Sequence, residues 1–217
     1  MPRERVLAPT AFLRLARAGL NGTFTATYQL RGLPGGGFTD ATVILSQRSA
    51  PGRSAYVTDS GEWYYKLVAP SGKGLEWVFD GKSFWDCRRQ SSRTAWSCTG
   101  PGRFSEYYGS NGYVIATGPF LIGGLEEGIR AVVDGGMAPR TLRAFTSQGH
   151  ACLRAATLRT TWCLDPSELL YSWSSASPSP MLFLWTSARQ VSARFTASRA
   201  EFNLPARPRP PFIEFPE

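Results

Sequence analysis

Lysine, histidine and methionine are scarce in this 217-residue chain: lysine occurs only at Lys66, Lys73 and Lys82, histidine only at His150, and there are three methionines. Few straight-chain helix formers, beside plentiful Thr, Ser, Gly and aromatic residues, argue for β structure. A single histidine leaves no partner set for a histidine-based metal centre. No Gly-x-Ser-x-Gly elbow precedes His150, so it reads as structural rather than as a catalytic base. Gly35 to Gly37 are not followed by the Lys-Ser/Thr of a phosphate loop. No stretch approaches the roughly 20 apolar residues of a membrane-spanning helix. Met1 to Arg5 lacks the apolar core of a signal peptide. Asp80 precedes Gly81 in a turn, and Asp86 and Asp165 flank cysteines. Glu126 and Glu127 occupy adjacent helical positions about 100° apart, a solvated face rather than an acid–base pair. The expectation is a non-enzyme with no cofactor and no metal.

The formal charge of +8 comes mostly from arginine. The arginines are scattered, as in Arg14 and Arg17, Arg88 and Arg89, Arg140 and Arg143, or Arg207 and Arg209. No basic stripe or nucleic-acid motif gathers them, so nucleic acid is not the expected partner. Contact with an anionic membrane surface suits such a chain better. Hydrophobic content of 42% and charged content of 18% suit one globular domain, residues 1–205, followed by a proline-rich tail, 206–217.

The chain is organised around Tyr56 to Cys98. Apolar-aromatic runs there are separated by Ser60-Gly61, Pro70-Ser71-Gly72 and Asp80-Gly81, which punctuate hairpins. Trp63, Tyr65 and Leu67 alternate with Glu62, Tyr64 and Lys66, and Leu75, Trp77 and Phe79 follow. Period-two alternation puts one set on one face of a sheet. Four of the seven tryptophans, Trp63, Trp77, Trp85 and Trp96, fall in this block. That face is either a packed core or a lined cavity.

Ten residues separate Cys87 from Cys98, and ten separate Cys152 from Cys163. A hairpin brings cysteines so spaced face to face, whereas zinc sites use two-residue gaps with further Cys or His. The reading is two hairpin disulfides and an extracytoplasmic compartment; four unpaired thiols are the alternative. The disulfide reading requires a signal or anchor outside this chain.

Before the aromatic block, Val6 to Gly19 reads as a helix, with Phe12, Leu13, Leu15 and Ala16 opposite Arg14 and Arg17. Phe24, Ala26, Tyr28 and Leu30 then mark a strand, and Ala41 to Gln47 the next. After Cys98, residues 99–112 read as a loop. Pro119 to Val133 reads as a glycine-interrupted helix, with Phe120, Leu121, Leu125 and Ile129 on its apolar side. Further strands are expected over 141–150, 151–158, 161–164, 169–173, 181–187 and 191–197. The fold class is mainly β with helices: a curved antiparallel sheet of about eleven strands, with helices over its concave face.

The helix before a Thr-rich strand, the Trp-Tyr-x-Lys strand, Asp80-Gly-Lys-Ser-Phe-Trp-Asp-Cys87, the mid-chain helix, Thr161-Trp-Cys-Leu164 and Ala200-Glu-Phe-Asn-Leu-Pro205 together resemble a known arrangement. It is similar to the LolA-type superfamily of envelope lipoprotein carriers, including LppX, LprG and RseB-type sensors. The nearest likeness is to disulfide-bearing extracellular lipoproteins of Gram-positive envelopes. The resemblance implies a half-barrel sheet whose mouth is plugged by helices, with acyl chains held between. On it, Trp63, Tyr65, Leu67, Trp77, Phe79, Phe84 and Trp85 would line the sheet side of a lipid cavity. Phe120, Leu121, Leu125 and Ile129 would face them. The expected partner is a lipid or acylated lipoprotein; the alternative is a sensor or scaffold binding a membrane-associated protein. The family's lipidated N-terminal cysteine has no counterpart here.

Overall fold

A computed structural model describes residues 5–20, 22–32, 40–49, 61–102, 142–156, 159–175 and 185–209. The elements are β1 (Arg5–Leu7), α1 (Pro9–Leu20), β2 (Phe24–Gly32), β3 (Asp40–Ser49), β4 (Gly61–Val68), β5 (Gly74–Phe79), β6 (Phe84–Arg89), β7 (Ser97–Gly102), β8 (Leu142–Ser147), β9 (His150–Ala155), β10 (Thr160–Leu164), β11 (Leu170–Ser175), β12 (Trp185–Arg194), a 3₁₀ turn (Arg199–Phe202) and β13 (Pro208–Arg209). All strands join one 13-stranded sheet in the order β1-β8-β9-β10-β11-β12-β2-β3-β4-β5-β6-β7-β13. Every pairing is antiparallel except the last, where β13 runs parallel to β7. The described residues are therefore mostly β, with 13 strands among them where about eleven were expected for the chain.

Sequence pattern accounts for most of these elements. The alternation over Phe24 to Leu30 buries Phe24, Ala26, Tyr28 and Leu30 on one face. Register carries that face across the sheet: Ala26 opposes Leu45, Leu45 opposes Tyr65, and Tyr65 opposes Trp77. On the other side of β2, Leu30 opposes Ala188, which opposes Trp173, then Trp162 and Leu153. The shared core lies on this face. α1 adds Phe12 and Ala16 to it, one helical turn apart.

Differences from expectation are local. The segment expected to be helical from Val6 begins instead with a strand, Arg5–Leu7, paired to β8. Pro9 then opens the helix, where its missing N–H costs nothing. His150 starts β9 rather than ending β8, because Gln148 and Gly149, at φ 51° and 83°, make a two-residue hairpin turn. The expected loop after Cys98 begins as a strand: β7 continues through Thr99-Gly100-Pro101-Gly102 against β6, with a bulge between Phe84 and Asp86 that accommodates the proline. The two strands expected over 181–187 and 191–197 are one, β12, bulged between Gln190 and Ser192. Residues 103–141, including the expected helix Pro119 to Val133, lie outside the described residues.

Beyond β12 the chain crosses the face opposite the core. Glu201 reaches Thr25 of β2 and Ser46 of β3, Phe202 meets Tyr64 of β4, and Pro208 pairs with Cys98 of β7. This crossing segment ties the middle of the sheet to one edge.

Candidate functional site

Six of the expected cavity-lining residues come together on the core face. Trp63, Tyr65 and Leu67 of β4 stand opposite Phe79, Trp77 and Leu75 of β5, and Phe79 stands opposite Phe84 of β6. Ring centroids lie 5.8 Å apart for Trp63 and Phe79, 5.9 Å for Trp63 and Phe84, 5.4 Å for Tyr65 and Trp77, and 6.2 Å for Trp77 and Phe84. These separations are those of favourable aromatic contacts. Trp63, Tyr65, Leu67, Trp77 and Phe84 are each at most 4% exposed. Burial pushes the Tyr65 phenol far above its ordinary range. In this structure the aromatic face is packed ring against ring.

Trp85 does not belong with them. It follows Phe84 directly in a strand, so its side chain emerges on the opposite face, across from Val78. There its ring lies against Gly100, where a Cβ would come within 2.6 Å of it. Phe120, Leu121, Leu125 and Ile129 lie outside the described residues.

Both cysteine pairs form disulfides, Cys87–Cys98 across β6 and β7 and Cys152–Cys163 across β9 and β10. Each joins directly opposed residues, as the hairpin spacing requires. His150 is structural in its contacts: its ring stacks on Tyr171 at 3.9 Å, and Nδ1 lies 3.1 Å from the Leu164 carbonyl. Asp80 accepts the N–H groups of Lys82 and Ser83 in the turn, and Asp165 accepts those of Ser167 and Leu169. Asp86 pairs with Arg88. Among the described residues no three His, Cys, Asp or Glu converge as metal ligands, and no helix is long and apolar enough to cross a membrane.

The opposite face holds polar groups that sequence reasoning passed over. Glu76, on β5, is nearly fully buried between Lys66 and Cys87. Lys66 Nζ stands 3.0 Å from Glu76 Oε2, close enough for an ion pair but without hydrogen-bond alignment. Desolvation raises the Glu76 carboxyl above its ordinary value, against the opposing pull of Lys66, Tyr64 and Arg89. Lys66 and Arg89 also lie over the Trp96 ring, at 5.2 and 4.8 Å. That ring sits on Gly74, where a Cβ would come within 2.7 Å.

Glu201 is the second such group. Thr25 and Ser46 donate to its Oε2 at 2.7 and 2.8 Å, while the Ser198 N–H donates to Oε1 at 3.2 Å and Arg194 pairs with the same oxygen. Desolvation alone would raise its carboxyl; these hydrogen bonds outweigh that and hold it at about 2. The Ser198-x-x-Glu201 spacing is a capping-box pattern and was a legible signal for this anchor. A cleft of about 360 Å³ opens beside it, lined by Thr27, Ile44, Tyr64 and Ser192 among others. A second, of about 340 Å³, lies between Gln29, Thr42, Lys66 and Pro70. Both clefts open opposite the aromatic core.

No family model matches this sequence, and no curated protein matches it. Among solved structures it is similar to the crystal structure of MucB, with a TM-score of 0.44 and 10% sequence identity over 90% of this chain. The chain spans 62% of that structure's length. The likeness is too distant to bear on function.

Proposed function

We propose that this chain is a non-catalytic binding protein of an oxidising, extracytoplasmic compartment, taking an acyl chain of a lipid or acylated lipoprotein against the core face of β4 to β6. The observation that carries this reading is the convergence of Trp63, Tyr65, Trp77, Phe79 and Phe84 on one apolar surface, bordered on β6 by the Asp86–Arg88 ion pair. Burying an acyl chain there would gain about 0.8 kcal/mol per methylene. Because the rings now contact one another, entry of a chain requires them to part. The two disulfides support the compartment. A second reading, a sensor or scaffold that binds a protein, draws on the two clefts of the opposite face.

Native mass spectrometry of the purified protein, with organic extraction of whatever dissociates, tests the first reading. A co-purifying lipid, or uptake on incubation with envelope lipids, is the expected result. A clean apo mass under both conditions would overturn it in favour of the second.

A further inference from the structure

Strands β1 and β8–β12 contain five arginines and no carboxylate. Register places four of those arginines on the face opposite the core, where Arg194 pairs with Glu201 and the other three lie on aromatic rings. Arg143 and Arg154 oppose one another, and Arg189 opposes Ser172, which opposes Cys163 of the disulfide. Arg143 and Arg154 both lie over the Phe145 ring, at 5.9 and 5.2 Å, and Arg189 lies 5.9 Å over Tyr171. All three remain exposed. Guanidinium groups held on rings keep their charge at the surface with little side-chain entropy left to lose. Between them the rows carry small side chains, Thr161, Ser174 and Ser187, directly opposed across β10, β11 and β12. The relief is low, and the Cys152–Cys163 bond ties the centre. In the β10–β11 turn Asp165 is occupied by the Ser167 and Leu169 N–H groups and by the Gln190 amide.

Exposed apolar side chains accompany this charge. Val6, 72% exposed, opposes Phe145 and so stands on the same face at its edge. Val191, 67% exposed, lies at the bulge of β12. A flat basic face with an exposed apolar side chain, Val6, at its edge matches a headgroup layer, where arginine meets phosphate and apolar groups enter the interface. A soluble polyanion would leave Val6 unused.

We infer that the arginine face of β8–β12 docks on an anionic phospholipid bilayer. This is separate from acyl binding on the core face, since it depends on headgroup charge and needs no chain to leave the membrane. Co-sedimentation with vesicles of phosphatidylcholine alone, and of phosphatidylcholine mixed with phosphatidylglycerol, tests it. Binding is expected only with phosphatidylglycerol present, and is lost at high salt. R143Q/R154Q/R189Q should weaken it roughly 100-fold, whereas K73Q/K82Q/R93Q, on turns of the other half, should change it little. Val6→Glu should weaken it several-fold. Should the arginine variant fail to fold, as judged by circular dichroism, Val6→Glu and the control triple variant decide. Equal binding to both vesicles would overturn the inference and point to acyl uptake instead. Equal losses in both triple variants, an indifferent Val6→Glu, or capture by dextran sulfate without capture by anionic vesicles would also overturn it.

Discussion

Two parts of one sheet carry the same staple and opposite electrostatic habits. β6–β7 and β9–β10 are each closed by a disulfide between residues eleven apart. In β2–β7, five basic residues face four carboxylates, and Arg48–Glu62, Lys66–Glu76 and Arg88–Asp86 form ion pairs. In β1 and β8–β12 there is no carboxylate; Arg143, Arg154 and Arg189 lie on aromatic rings, and Arg194 pairs with Glu201 of the crossing segment. The C-terminal crossing segment adds to the contrast: it crosses β2–β4 and reaches β7, and the polar groups it meets, Thr25 and Ser46, pair with its Glu201. The arginines of β8 and β9, Arg143 and Arg154, remain exposed to water over the Phe145 ring.

If that account holds, the two parts should differ on the opposite face and agree in the shared core. Trp77→Ala and Trp173→Ala, each 1% exposed in the wild type, should both cost about 3–5 kcal/mol in urea unfolding. A small cost at Trp77 alone would show that the β4–β6 face collapses readily around a missing ring. That would separate it from an ordinary core.

The disulfides sharpen the comparison differently. Equal loop lengths predict equal losses, roughly 3 kcal/mol each for Cys98→Ser paired with Cys87→Ser, and for Cys163→Ser paired with Cys152→Ser. Accessibility should not be equal. Cys87 and Cys98 are 0% and 1% exposed, while Cys163 is partly exposed. Mild reduction followed by alkylation and mass spectrometry should label Cys152 and Cys163 first. Simultaneous labelling would mean that the crossing segment opens faster than the reductant acts.

Lys66→Met should cost about 2 kcal/mol by leaving Glu76 buried without its cation, less than for a fully buried pair because Lys66 keeps some water. K66M/E76L should recover most of that loss. Arg154→Met, the counterpart on the arginine face, should stay within about 0.5 kcal/mol of wild type. A comparable loss at Arg154 would remove the distinction between the two parts.

Much of this was legible in the chain because it is local. Period-two alternation marked the core face from Phe24 to Phe79, and the ten-residue gaps marked both disulfides. Turn chemistry at Asp80-Gly81 marked a hairpin. Trp85 was misplaced by grouping it with its neighbour Phe84, although strand geometry alone separates them. The short strand Arg5–Leu7 and the strand through Gly100-Pro101 exist only through pairing with distant partners, which no local pattern reports. The burial of Glu76 and the anchoring of Glu201 likewise depend on where the chain returns after β12.

Glu201 tests that return at the smallest scale. Its carboxyl, held at about 2 against an ordinary 4.5, favours the folded state while it is charged there and protonated less readily than in the unfolded chain. A lowered carboxylate of this kind contributes above its unfolded value and loses that contribution as pH falls from 4.5 toward 2. Because the side chain is partly exposed, solvent screening reduces the contribution to about 1 kcal/mol. Glu201→Gln should therefore unfold at lower urea than wild type at neutral pH. The gap should close progressively below pH 4.5, where the wild-type carboxyl itself becomes neutral. A gap that persisted unchanged into acid would mean that the Thr25 and Ser46 hydroxyls anchor the crossing segment by shape rather than by charge.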